Sequence, residues 1–187
     1  MQKKNPILIL GLGNELLCDD AIGIRLVIEF KELYKSKGID FLTSCNGGLE
    51  IVELISGYDM VVIIDAIKTR DGIPGSIYHF TPADFTDTLH VSSFHDISFL
   101  TALKLAAYTE MKIPEHIHII AIEIVEDLLF SNEFSETIAK KYNDIKKKIK
   151  EFLDQIYGNE NPLNCDLTHE PTGVTFCYPN NIPDQRR

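Results

Sequence analysis

The chain has 187 residues, 44% hydrophobic and 25% charged, with 28 acids against 18 bases and a formal net charge of −10. These values are those of a globular domain and exclude global disorder. A chain of this length buries a real core without staples, and its negative charge disfavours nucleic acid and anionic membranes as partners. No stretch reaches the ~20 apolar residues of a membrane span. The opening Met1-Gln2-Lys3-Lys4 and the apolar residues 7–12 run into Gly13, Asn14 and Glu15 with no small-residue cleavage site, so a buried strand is expected there, not a leader. Cys18, Cys45, Cys165 and Cys177 lie far apart, and reduced thiols in a cytoplasmic protein are expected.

In chain order, Ile7-Leu8-Ile9-Leu10 is a continuous apolar run ending at Gly11, the pattern of a strand buried on both faces. Residues 21–37 form a helix, with Ile22, Leu26, Phe30 and Leu33 at three- and four-residue spacing. A strand over 39–43, a short helix over 49–56 and a strand over 60–64 ending at Asp65 follow. Asp71-Gly72 and Pro74-Gly75 mark turns before a strand at 76–80. The polar stretch 81–93 carries no clear element and is long enough to be functional.

A helix over 95–108 places Ile97, Leu100, Leu103 and Ala107 on one side, and a strand over 117–125 mixes His118 and Glu123 with apolar residues. In the last helix Ile138, Tyr142, Ile145, Ile149, Phe152 and Ile156 step by four and three opposite a lysine-rich face. The order predicts an α/β fold, a three-layer α/β/α sandwich around a mixed, mainly parallel sheet of about five strands. One domain is expected over 1–157. Residues 158–187, with four of the eight prolines, read as a flexible tail.

In such folds ligands bind at the carboxyl ends of the strands, which directs attention to residues 11–20, 43–48 and 65–69. A dinucleotide reading of Gly11-Leu12-Gly13-Asn14-Glu15-Leu16 fails, because Leu16 stands where a third glycine is needed and Asp19-Asp20 repels a pyrophosphate. Gly11, Gly13 and Gly23 suit turns and close packing, and Asn14 suits a turn or a hydrogen bond within the loop. Helix capping accounts for Asp19, but one cap does not need both carboxylates. Asp65 either anchors the following turn or faces the crevice.

His95, in Ser92-Ser93-Phe94-His95-Asp96, stands at a helix entry, where a lone histidine is more often structural, and His90 is a weaker competitor. His116 and His118 share a strand face, as expected at a sheet rim. Asp20, Asp65 and His95 together offer oxygen and imidazole donors from loops that can converge, a set suited to nickel, zinc or iron(II). Three ligands leave room for an exogenous group. No Ser–His or Cys–His pair stands out, and the acids after Cys18 discourage a thiolate. Cys165, His169 and Cys177 fit no standard zinc-finger spacing.

The stretch from Gly11 to Gly23 resembles the N-terminal signature of the hydrogenase maturation endopeptidases, which remove a C-terminal extension from the large subunit of nickel–iron hydrogenases. Gly48-Leu49-Glu50, Val62-Ile63-Ile64-Asp65-Ala66, Pro74-Gly75 and Ser93-Phe94-His95-Asp96 continue the resemblance through most of residues 7–157. It implies an α/β sandwich, metal binding by Asp20, Asp65 and His95, and a large-subunit precursor as protein partner. Nickel would arrive with that substrate, and another divalent metal would substitute in the isolated protein. One departure is that the second strand commonly ends in aspartate where this chain has Thr43. The competing expectations are a non-catalytic sensor of nickel insertion and a self-sufficient metallohydrolase.

Overall fold

The computed structural model describes residues 7–34, 38–85 and 94–158, with the backbone alone at 85, 94–98 and 157–158. The elements are β1 (Ile7–Leu12), α1 (Ile22–Leu33), β2 (Ile39–Ser44), α2 (Leu49–Ile55), β3 (Met60–Ile67), β4 (Ile77–Phe80), α3 (Phe94–Ala106), β5 (His116–Glu123) and α4 (Glu136–Gly158). One-turn 3₁₀ helices occupy Cys18–Ala21 and Pro82–Phe85. The expected α/β alternation is present. The expected tail, apart from Gly158 at the end of α4, and its Cys165, His169 and Cys177 lie outside the described residues, as do His90 and most of the 81–93 stretch.

The five strands are ordered β2-β1-β3-β5-β4. All neighbours are parallel except the β4 edge, which pairs antiparallel with β5. From β1 the chain crosses to β2 on one side, then to β3 on the other, so strand order reverses between β1 and β3. That switch point is where open α/β sheets leave a crevice at their carboxyl edge.

Strand alternation sorts the core into two layers. Ile7, Ile9, Met60, Val62, Ile64, Ile120 and Ile122 face α1 and α4, where Leu26, Phe30, Ile145, Ile149 and Phe152 cover them. Leu8, Leu10, Leu12, Val61, Ile63, Ile67, Ile119 and Ala121 face α2 and α3, under Ile51, Ile55, Phe99, Ala102 and Ala106. Both faces are covered, which is why β1 and β3 are apolar almost throughout.

Three local expectations are corrected. Helix α1 ends at Leu33, which is exposed, and its buried stripe runs through Ile22, Leu26, Val27 and Phe30. The inward line of α3 is Phe99, Ala102 and Ala106, while Ala107 is exposed. That helix is apolar on nearly every side, so periodicity alone could not choose its face. Strand β3 runs on to Ile67, so Asp65 lies within it and is not its last residue.

Candidate active site at the carboxyl edge

The loop after β1 is built by its own short-range bonds. The Asn14 side chain accepts the Leu16 N–H at 3.0 Å, and the Asn14 carbonyl accepts the Leu17 N–H at 3.0 Å. The Asp20 carboxylate accepts the Asn14 N–H at 2.7 Å, closing the loop. Gly13, at φ +133°, has no space for a side chain, since a Cβ would overlap the Asp20 carbonyl oxygen. Gly23 is wedged against the carbonyl oxygens of Leu12 and Ile64, which holds the start of α1 against the ends of β1 and β3.

Asp20 therefore stands at the switch point, in a 3₁₀ turn packed on β3. Asp65 is buried in that strand, and its carboxylate accepts the Ala66 N–H at 2.8 Å. By alternation it shares a face with Val61, Ile63 and Ile67, the face covered by α3. Leu103, near the end of α3, borders a cleft with Thr81, Ile113 and His116 at the amino edge. The helix is 13 residues long, about 20 Å at 1.5 Å per residue, so its first turn lies back toward the carboxyl edge. The His95 backbone belongs to that turn, on the Asp65 face; its side chain lies outside the described atoms. Among the described residues no three His, Cys, Asp or Glu side chains group as a metal centre, a statement that does not reach His95.

Asp19 does not cap its helix. Its side chain makes no capping bond and is fully buried. It accepts the N–H groups of Val125 at 3.2 Å, Glu126 at 3.0 Å and Ser135 at 2.7 Å, while the Asp19 N–H donates to the Glu126 carbonyl at 3.0 Å. Capping rules look one turn ahead, whereas these partners come from across the fold. Cys18, buried and at φ +25°, precedes it. Burial first and the Asp19 carboxylate second raise the thiol above its usual range, as the acidic context predicts.

Sequence reasoning missed Glu123 as an anchor. It is buried at the end of β5, accepting the Thr69 N–H at 2.6 Å and the Thr69 hydroxyl at 3.0 Å, and so shapes the loop after β3. A lone glutamate ending an apolar strand was the available signal. His118 is no rim residue either: buried His79 and His118 stack with a nitrogen–nitrogen distance of 3.0 Å, and Phe152 lies against both rings. Thr43 is exposed on β2, opposite Gly11.

A sheet of this order with a carboxylate-bearing crevice defines an α/β protein with a polar site at its switch point, and similarity narrows the class. A family model described as "Hydrogenase maturation protease" (HycI) matches residues 24–152. The chain belongs to the hydrogenase maturation protease family. That match includes Asp65 and His95 and begins after Asp20. The hydrogenase 2 maturation protease of Escherichia coli K12 is 31% identical over 103 residues, 52% of this chain and 63% of that protein. HupD of Rhizobium leguminosarum is 36% identical over 62 residues, 33% of this chain and 31% of that protein. The chain thus spans less than two thirds of the length of these two relatives.

Among solved structures, the [NiFe] hydrogenase maturation protease HycI from Thermococcus kodakarensis superposes with a TM-score of 0.59 at 27% identity, covering 82% of this chain and 95% of that one. The HybD protease of the same organism gives 0.58 at 27% identity, over 78% and 97%. No described helix is long and apolar enough to cross a membrane.

Proposed function

We propose that the protein is a cytoplasmic endopeptidase that removes the C-terminal extension of a nickel–iron hydrogenase large-subunit precursor after nickel insertion. The observation that carries this reading is the placement of Asp20 in the 3₁₀ turn that follows β1 and of Asp65 in β3, the two strands flanking the switch point, in a chain of the maturation protease family. In this reading Asp20, Asp65 and His95 engage the nickel that the substrate brings, and another divalent metal substitutes in isolated protein. Carboxylate and imidazole donors suit such an ion. The Asn14 N–H donates to the Asp20 carboxylate and the Ala66 N–H to that of Asp65, which orients both groups. Preset carboxylates of this kind engage a positive centre without reorganising.

The test is a cleavage assay read by intact mass, with nickel-loaded and nickel-free precursor. One C-terminal fragment released only from loaded precursor is expected. Asp20→Asn, Asp65→Asn and His95→Ala should each abolish release while the fold survives, and normal cleavage by any folded variant removes that residue from the site. Imidazole binds metal only when neutral, so engagement should weaken as the solution is acidified. The exposed Thr43, where the family commonly has aspartate, favours a second reading, a sensor that binds precursor and leaves its mass unchanged.

A further inference from the structure

Beside the Asp20 loop the surface carries an apolar ridge. Leu128 is 76% exposed, Phe130 78%, Leu129 58% and Leu16 58%. Leu17 and Phe130 form an antiparallel bridge, and the Ser131 N–H donates to the Leu16 carbonyl at 3.1 Å, so the two loops make one surface. Scattered apolar residues need no explanation, but a contiguous group of this size marks an interaction site.

The exposure is built, not slack. The buried Asp19 carboxylate holds the base of the 125–135 loop through three N–H groups. The Glu126 carboxylate accepts the Leu128 and Leu129 N–H groups at 2.9 and 3.1 Å, and the Arg25 guanidinium donates to the Asn132 carbonyl. These bonds fix the backbone with its apolar side chains outward, which lowers the ordering cost of binding.

Acids surround the ridge. Glu15 and Glu133 are exposed, Glu126 and Asp127 are half-buried, and the nearby Lys68 is engaged by Asp127 at 2.7 Å. Two copies meeting here would press like-charged rims together, in a chain of net charge −10. The complementary occupant joins apolar side chains to lysine or arginine.

We infer that the ridge of Leu16, Leu128, Leu129 and Phe130 docks an apolar, basic segment of the protein substrate and that Asp19 sets its position relative to the neighbouring Asp20. This inference rests on the peptidase reading above. Apolar anchors supply affinity, the acidic rim supplies steering that salt screens, and the shared Asp19–Asp20 backbone ties docking to the crevice.

The experiment compares steady-state cleavage of nickel-loaded precursor by the full chain, by the double variant Leu128→Ser/Phe130→Ser, and by Tyr108→Ser as an exposed control elsewhere. The double variant should raise KM about tenfold with kcat within about twofold, and Tyr108→Ser should change neither. Wild-type KM should also rise with salt. If the wild type cleaves and the double variant keeps its KM, the docking surface is overturned while the peptidase reading stands. If the wild type neither binds nor cleaves, both fall. Dimeric wild type and monomeric double variant in sedimentation would assign the ridge to self-association and overturn substrate docking.

Discussion

Among the described residues, the sheet and its edge loops bury charged or ionisable side chains in two places and satisfy them by opposite means. Around its carboxyl edge Asp19, Asp65 and Glu123 are buried, and each carboxylate accepts backbone N–H groups of the segments it organises. Between β4, β5 and α4, His79 and His118 are buried against each other and Phe152, away from those loops. A buried carboxylate held by N–H donors can keep its charge. A buried imidazole pair is comfortable when neutral, one ring donating and the other accepting. The carboxyl edge is therefore a place where buried acids hold loops in position, and the histidine pair a place where burial disfavours charge.

The largest expected effect breaks the first region at its chemistry. On the proposed peptidase reading, Asp20→Asn or Asp65→Asn should lower precursor cleavage by about 100-fold or more, because a carboxylate proposed to engage the metal loses its charge. Circular dichroism should report an unchanged fold. Next come substitutions of the supports. Asp19→Ala leaves three part-buried backbone N–H groups without their carboxylate acceptor and should cost about 2 kcal/mol in urea unfolding. Amide exchange should quicken first at Val125, Glu126 and Ser135, and protection equal to wild type there would refute the anchoring role. Gly13→Ala meets both a positive φ and the Asp20 carbonyl, and a loss of about 3 kcal/mol is expected from such overpacking.

The histidine pair sharpens the comparison through pH. Burial first and His79 second push His118 down to about 4 from an ordinary 6.5. Burial also lowers His79, against the opposing pull of Asp84. The unfolded chain then takes up protons before the folded one. Stability is full above about pH 6.5 and declines as pH falls toward about 4, by roughly 3 kcal/mol from His118. Unfolding of His118→Leu should show a flatter slope in that window, and an unchanged slope would place the titration elsewhere. The smallest effect belongs to Thr43→Asp, an exposed change expected to move stability by less than about 0.5 kcal/mol. Any rise in cleavage rate measures what a carboxylate there supplies.

Legibility followed the range of the interactions. The α4 stripe through Ile138, Tyr142, Ile145, Ile149, Phe152 and Ile156 was readable because one helix face repeats in sequence; five of these are buried and Tyr142 is half-buried against the same core. The same method misplaced the inward face of α3, where apolar residues occur all round and the neighbouring sheet and α2 chose the side. Asp20 and Asp65 were singled out from loop position and strand end, although β3 in fact continues past Asp65. Glu123 and the His79–His118 pair were not found as such, since their partners come from other strands and loops.

By itself the sequence determined the alternation of strands and helices, the two-sided burial of β1 and β3, and the glycine-and-acid loop after the first strand. Those depend on periodicity and local backbone geometry, which neighbours in the chain dictate. The tertiary structure alone decided what Asp19 does, because its partners lie 106 to 116 residues away. It also decided that Leu16 and Phe130 share one surface and that two histidines meet beneath Phe152. Which buried donor meets which acceptor depends on how separate segments pack, and no local pattern carries that information.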